Sequence, residues 1–130
     1  MEQTAYGMRR VLTCSFDEAM ERTASALKEA GFGILTEIDV KETLKKRLDV
    51  DFARYKILGA CNPSLAYKAL QAEREIGLLL PCNVIVYEEK GKSVVSILDP
   101  IAMFSLVGKS EVKPLAEEVK QKLRAALDRM

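Results

Sequence analysis

Two short segments place a thiol beside an amide: Gly59-Ala60-Cys61-Asn62-Pro63 and Leu80-Pro81-Cys82-Asn83. Each Cys-Asn pair falls at the end of a stretch that reads as a β-strand. Cys61 runs straight into Asn62-Pro63, a helix start in which Asn supplies the cap and Pro takes the first helical position. The free N–H groups and partial positive charge of a helix N-terminus stabilise an anion or a thiolate. Cys82 opens the following strand. If the two strands run antiparallel, both sulfurs face one pocket, and such a pair suits a small ligand, a soft metal or a redox partner. Two thiolates do not complete a metal site. The chain has no His, so further donors must come from Asp99 or from the cysteines of a second copy. The candidate ligand-binding set is therefore Cys61, Asn62, Cys82, Asn83 and Asp99. No residue is assigned a catalytic role, and the sequence names neither a metal nor a cofactor. A structural reading stands beside this one. A buried free Cys packs as a small hydrophobe, and Asn62 and Asp99 are both explained as helix caps. Cys14 is read as structural.

Other chemistry is largely excluded. Without His there is no Ser-His or Cys-His nucleophile, no His general base and no His-ligated metal. Gly31-Phe32-Gly33 is a helix stop followed by a strand start, the wrong order for a phosphate loop. Glu37, Asp39, Glu88 and Glu89 have no spacing diagnostic of acid–base catalysis. The 130 residues carry 20 Lys+Arg against 19 Asp+Glu, a net charge of +1. That balance argues against nucleic acid and anionic membranes as partners. The three cysteines form no C-x-x-C pair and speak for free thiols rather than a disulfide framework. The N-terminus lacks the pattern of a secretory signal, and the longest apolar run is too short to cross a bilayer. A cytoplasmic location is expected.

The elements that must position the cysteines follow from periodicity. Tyr6 to Cys14 reads as a first strand. Ser15 with Glu18 forms a capping box, and the next helix carries Phe16, Met20, Thr23, Ala24 and Leu27 on one face. Gly31 ends it. Phe32 to Ile38 alternates as a second strand. Asp39 with Glu42 caps a short helix with Val40, Leu44 and Leu48 on one stripe; its Lys41, Lys45, Lys46 and Arg47 read as a solvated face. Arg54 to Cys61 is a third strand. A helix of about 13 residues from Asn62-Pro63 is expected to close at Gly77, with Gly77 to Pro81 returning extended to Cys82. Cys82 to Tyr87 and Ser93 to Leu98 form a hairpin about a Gly-containing turn. Asp99-Pro100 starts a short helix through Phe104. After Gly108 a long helix from Ser110 shows an apolar stripe including Val112, Leu115, Val119, Leu123 and Leu127. The order β-α-β-α-β-α-β-β-α-α over residues 1–130 predicts one α+β domain. Its sheet should be mostly antiparallel and five-stranded, with helices packed mainly on one face.

Four stretches together resemble a known family: Tyr55-Lys56-Ile57-Leu58-Gly59-Ala60-Cys61-Asn62-Pro63, Leu65-Ala66-Tyr67-Lys68-Ala69-Leu70, Gly77-Leu78-Leu79-Leu80-Pro81-Cys82-Asn83-Val84, and Asp99-Pro100. With the opening helix and the Gly31-Phe32-Gly33 turn they span nearly the whole chain. The chain is similar to the domain-of-unknown-function family numbered 302, in its cysteine-containing branch. That resemblance implies an α+β fold like the TATA-binding-protein sheet, usually as a homodimer, and no established activity. Likeness of fold to a DNA binder carries no DNA binding with it. Three functional readings result. The first is a non-catalytic small-ligand or soft-metal binding module with its site at the Cys61 and Cys82 strand ends. The second is a thiol-dependent redox protein or enzyme that uses Cys61. The third is a dimeric interaction or accessory domain whose cysteines are structural.

Overall fold

The computed structural model describes residues 1–130. Its strands are β1 (Glu2–Gln3), β2 (Gly7–Leu12), β3 (Gly33–Asp39), β4 (Tyr55–Cys61), β5 (Cys82–Glu89) and β6 (Lys92–Leu98). Its helices are α1 (Phe16–Glu29), α2 (Val40–Leu48), α3 (Pro63–Ala72), α4 (Pro100–Phe104) and α5 (Val112–Asp128), with a 3-10 helix at Arg74–Leu79. All strands join one sheet in the order β1-β2-β6-β5-β4-β3, and every pairing is antiparallel.

The sheet has six strands, not the five expected. The additional one, Glu2–Gln3, pairs with Arg9 and Met8 of β2. Two residues are too few to show alternation, and neither is buried. Polar contacts hold them instead: Arg9 Nε donates to Glu2 Oε1 at 2.8 Å, and Gln3 Nε2 donates to the Gly7 carbonyl at 3.1 Å. The α+β class and the antiparallel arrangement are as expected.

Alternation assigns the two sheet faces. Met8, Leu58, Cys82, Val84, Val95 and Ile97 point to one side, where they join Phe16, Ala19 and Leu27 of α1 and Val119, Leu123 and Leu127 of α5 in a core of 20 buried residues. Arg10 lies on this face too, and its guanidinium donates to the Leu127 and Asp128 carbonyls at 3.1 and 2.9 Å. That satisfies acceptors at the end of α5 which have no partner inside the helix.

Local details depart from expectation in three places. Ser15 caps α1 by accepting from the Glu18 N–H at 3.2 Å, but the Glu18 carboxylate does not turn back to complete the box. It pairs with Arg22 at 2.8 Å, one helical turn on. The α2 stripe of Val40, Leu44 and Leu48 buries nothing fully, although α2 packs against β3 and β4 at the edge of the sheet. The expected 13-residue third helix stops at Ala72. Glu73 leaves the helical region at φ −150° and ψ 108°, and its carboxylate pairs with Lys109 at 2.6 Å. A 3-10 helix then replaces the extended return. Its Ile76 anchors it in a second cluster with Ala69, Phe104, Val112 and Ala116. Two short helical pieces, turned at Glu73, bring the chain back to start β5 antiparallel to β4.

Candidate functional site

The β4–β5 register sets Ala60 opposite Cys82 and Gly59 opposite Asn83. Cys61 is thus the chain neighbour of the residue paired with Cys82. Cys61, Asn62 and Cys82 line one cavity of about 30 Å³ between the end of β4, the first turns of α3, and α5. Apolar residues make up 11 of the 13 in its wall, with Phe32, Leu65, Pro81 and Val119 among them. A single water needs roughly 10–15 Å³, so the space holds about two waters or a compact group of similar size. All three cysteines are free thiols.

The two cavity thiols differ in character. Cys61 is half-buried at the mouth, while Cys82 is 5% exposed. Burial, and secondarily the neighbouring Cys61 thiol, push Cys82 up to about 11. At neutral pH it is a protonated, apolar wall group rather than a thiolate. Asn62 is spent on structure. Its Oδ1 accepts from the Leu65 N–H at 3.1 Å as the α3 cap, and its Nδ2 stands 3.1 Å from where a Cβ would sit on Gly31. Gly31 has φ +91°, so both conformation and space favour glycine there.

The other two candidates lie elsewhere. Asn83 alternates onto the opposite face of the sheet, where it is exposed in a shallow groove with Tyr6, Arg9, Ile85 and Tyr87. Asp99 follows β6 at the same end of the sheet as Cys82 but does not line the cysteine cavity. Its carboxylate is fully engaged. Oδ1 accepts from the Ile101 N–H at 2.9 Å, and Oδ2 accepts from Lys120 Nζ and Gln3 Nε2, each at 2.9 Å. Asp99 therefore clamps β1, α4 and α5 together. Lys120 and Gln3 were not legible as its partners, since they stand 21 and 96 residues away.

Burial raises the Asp99 carboxyl, but Lys120, the Ile101 N–H and Gln3 outweigh it and leave the group below its ordinary value. A carboxylate whose folded pKa is depressed contributes stability above its unfolded pKa of about 3.9 and loses it as pH falls through the folded value. Asp99→Asn should cost about 1.5–3 kcal/mol at pH 7, the range for hydrogen bonds to a charged group. Urea midpoints at pH 7, 5 and 3 check this: the gap between variant and parent should narrow by pH 3. A gap that stays constant would show that the charge plays no part.

The residues present do not make a soft-metal site in one chain. No cluster of three or more His, Cys, Asp or Glu exists, Asp99 is committed to its clamp, and Cys82 holds its proton against ionisation. What the geometry offers is an apolar pocket with one partly exposed thiol in its wall. No helix is long and apolar enough to cross a membrane.

Comparison with known proteins agrees on the fold. A family model described as a domain of unknown function, DUF302, matches residues 8–130. Among solved structures, the chain is similar to an uncharacterized conserved DUF302 protein from Bacillus stearothermophilus. The TM-score is 0.90 at 29% identity, over 97% of this chain and 98% of that one. None of the curated proteins matches.

Proposed function

Because the chain belongs to the DUF302 family, whose description assigns no activity, we propose a function from its geometry: a non-catalytic cytoplasmic module that binds a small apolar ligand between Cys61 and Cys82 and works as a homodimer. The cavity carries the first part of this reading. Buried polar cavities fill with water, whereas an apolar one stays dry and accepts apolar guests. Here the buried Cys82 thiol adds no charge to change that, because it stays protonated. Cys61 and Cys82 are the residues in contact with the ligand, Asn62 positions the helix that forms one wall, and Asn83 and Asp99 take no part. The alternative thiol-redox reading needs a resolving thiolate, and the raised Cys82 argues against one.

Xenon, an inert apolar probe, tests this directly. Under xenon pressure the methyl resonances of Leu65 and Leu115, both in the cavity wall, should shift saturably. Ala66→Leu, which fills the space from α3, should abolish the shift while leaving the rest of the spectrum in place. Parent protein whose methyl resonances ignore xenon would overturn the reading.

A further inference from the structure

Residues 63–80 leave β4 and return to β5 as α3 and the 3-10 helix. Their backbone bonds stay local: the Ala66 N–H donates to the Asn62 carbonyl, Glu73 to Ala69, Ile76 to Glu73 and Leu80 to Gly77. No backbone hydrogen bond joins this stretch to a strand or to another helix. Its polar link to the rest of the chain is the ion pair of Lys109 Nζ with Glu73 Oε1 at 2.6 Å. The other oxygen of that carboxylate accepts from the Glu75 N–H at 3.0 Å, so the pair grips the turn between the two helical pieces.

Apolar contact supplies the remaining attachment. Ala69 and Ile76 dock on Phe104, Val112 and Ala116, in a cluster separate from the main core. The two ends of the stretch lie side by side, because Ala60 pairs with Cys82 across β4 and β5. Asn62 at one end (φ −100°, ψ 105°) and Leu80 at the other (φ −117°, ψ 153°) are both extended. Adjacent extended links of this kind define one axis, and element-terminal residues are where hinges absorb rotation.

The cavity lies along the seam between the two clusters. Phe32, Ala60 and Cys82 of its wall belong to the main core, whereas Ala69 and Phe104 belong to the second cluster. Its volume is about 30 Å³, against roughly 300–1,000 Å³ for ordinary small-molecule sites. A guest of more than a few heavy atoms therefore needs a wall to move. The wall with the fewest ties is the one that α3 and the 3-10 helix supply. A partly exposed ion pair is weak and reversible, as a latch on such a wall must be.

We propose that residues 63–80 form a hinged flap over the Cys61 and Cys82 cavity, latched by Glu73 and Lys109, seated by Ile76, and swinging about Asn62 and Leu80 to admit an apolar ligand. The flap rests on the apolar-ligand reading above for the identity of its guest. Iodoacetamide alkylation of Cys82, which is 5% exposed, reports the opening. It is read with Cys14→Ser and Cys61→Ser in place, so that Cys82 is the sole thiol. Ile76→Ala should speed alkylation on the order of 30-fold or more, the equivalent of truncating a buried Ile. Lys109→Gln should speed it about two- to five-fold. Salt at about 1 M, which screens the pair, should speed the parent and leave Lys109→Gln unchanged. Leu27→Ala weakens the main core, where Leu27 has no exposed surface, and should leave the rate near the parent's. Equal acceleration by Leu27→Ala and Ile76→Ala would show that Cys82 is reached only by global unfolding, and would overturn the flap. A rate indifferent to both Lys109→Gln and salt would overturn the latch and the flap with it. Should Ile76→Ala fail to fold, the exposed Lys109→Gln decides. The xenon response separates the two readings. A parent that ignores xenon while Cys82 alkylation follows the latch overturns the guest and supports the moving flap. A xenon response with latch-independent alkylation overturns the flap alone.

Discussion

Leu123→Ala is expected to destabilise the protein by about 2–5 kcal/mol, the range for truncating a buried Leu and leaving a cavity. Leu123 has no exposed surface and stands among Leu127, Ala126 and Val119 in the core that joins α5 to the sheet. The surroundings have little freedom to collapse. β2, β5 and β6 are locked by continuous ladders on the far side, and Arg10 ties the end of α5 to the sheet. Ser15→Ala is the matched comparison. It removes one cap bond to the Glu18 N–H and should cost only about 0.5–2 kcal/mol, because the second half of the capping box never forms. Urea unfolding of the two variants with a common slope gives the order. Ser15→Ala as the more damaging change would show that the core is not where burial places it.

The parts of this fold that were legible in the sequence are those decided by local chemistry. The Ser15, Asp39, Asn62 and Asp99 caps all accept backbone N–H bonds, because a short polar side chain before a helix has few other low-energy uses. The α5 stripe was legible because 17 residues carry several turns of periodicity. β1 was not, since two residues have no period. The break at Glu73 was not, since its carboxylate both caps the 3-10 helix through the Glu75 N–H and pairs with Lys109, which lies 36 positions away in the chain. At the candidate site, the juxtaposition of Cys61 and Cys82 was expected from a helix out and an extended return from Gly77 to Pro81; the two residues do meet at one sheet end, but the return is a 3-10 helix. The departure of Asn83 follows from period-two alternation: a residue next to Cys82 on a strand must point the other way. Asp99 was misplaced for a different reason. Its position at the sheet end was right, but a carboxylate is assigned by its donors, and those come from Gln3 and Lys120 at remote points of the chain.

Gly59→Ala should be costly even though Ala favours a strand more than Gly does. A Cβ on Gly59 would collide with Thr36 Oγ1 and stand 2.7 Å from Pro81 Cγ. Neither neighbour yields easily. Thr is held to few rotamers by its branched Cβ, and the proline ring has no rotamer to change. The entropic gain of Gly→Ala, about 0.4–1 kcal/mol, should be outweighed, leaving a net loss of about 1–3 kcal/mol, as for overpacked cores. Gly77 is the control. Nothing lies within 4 Å of its Cβ position, so Gly77→Ala should be neutral or mildly stabilising. Adding Thr36→Ala to Gly59→Ala removes the closest obstruction, and the pair should couple by about 0.5–3 kcal/mol in the restoring direction. Strict additivity of the two changes would rule out the collision as the cause. The same substitution reaches the site, because Pro81 lines the cavity beside Cys82. Displacing it should weaken the xenon response of Gly59→Ala while Gly77→Ala keeps the parent response, which ties the packing of Thr36, Gly59 and Pro81 to the shape of the pocket.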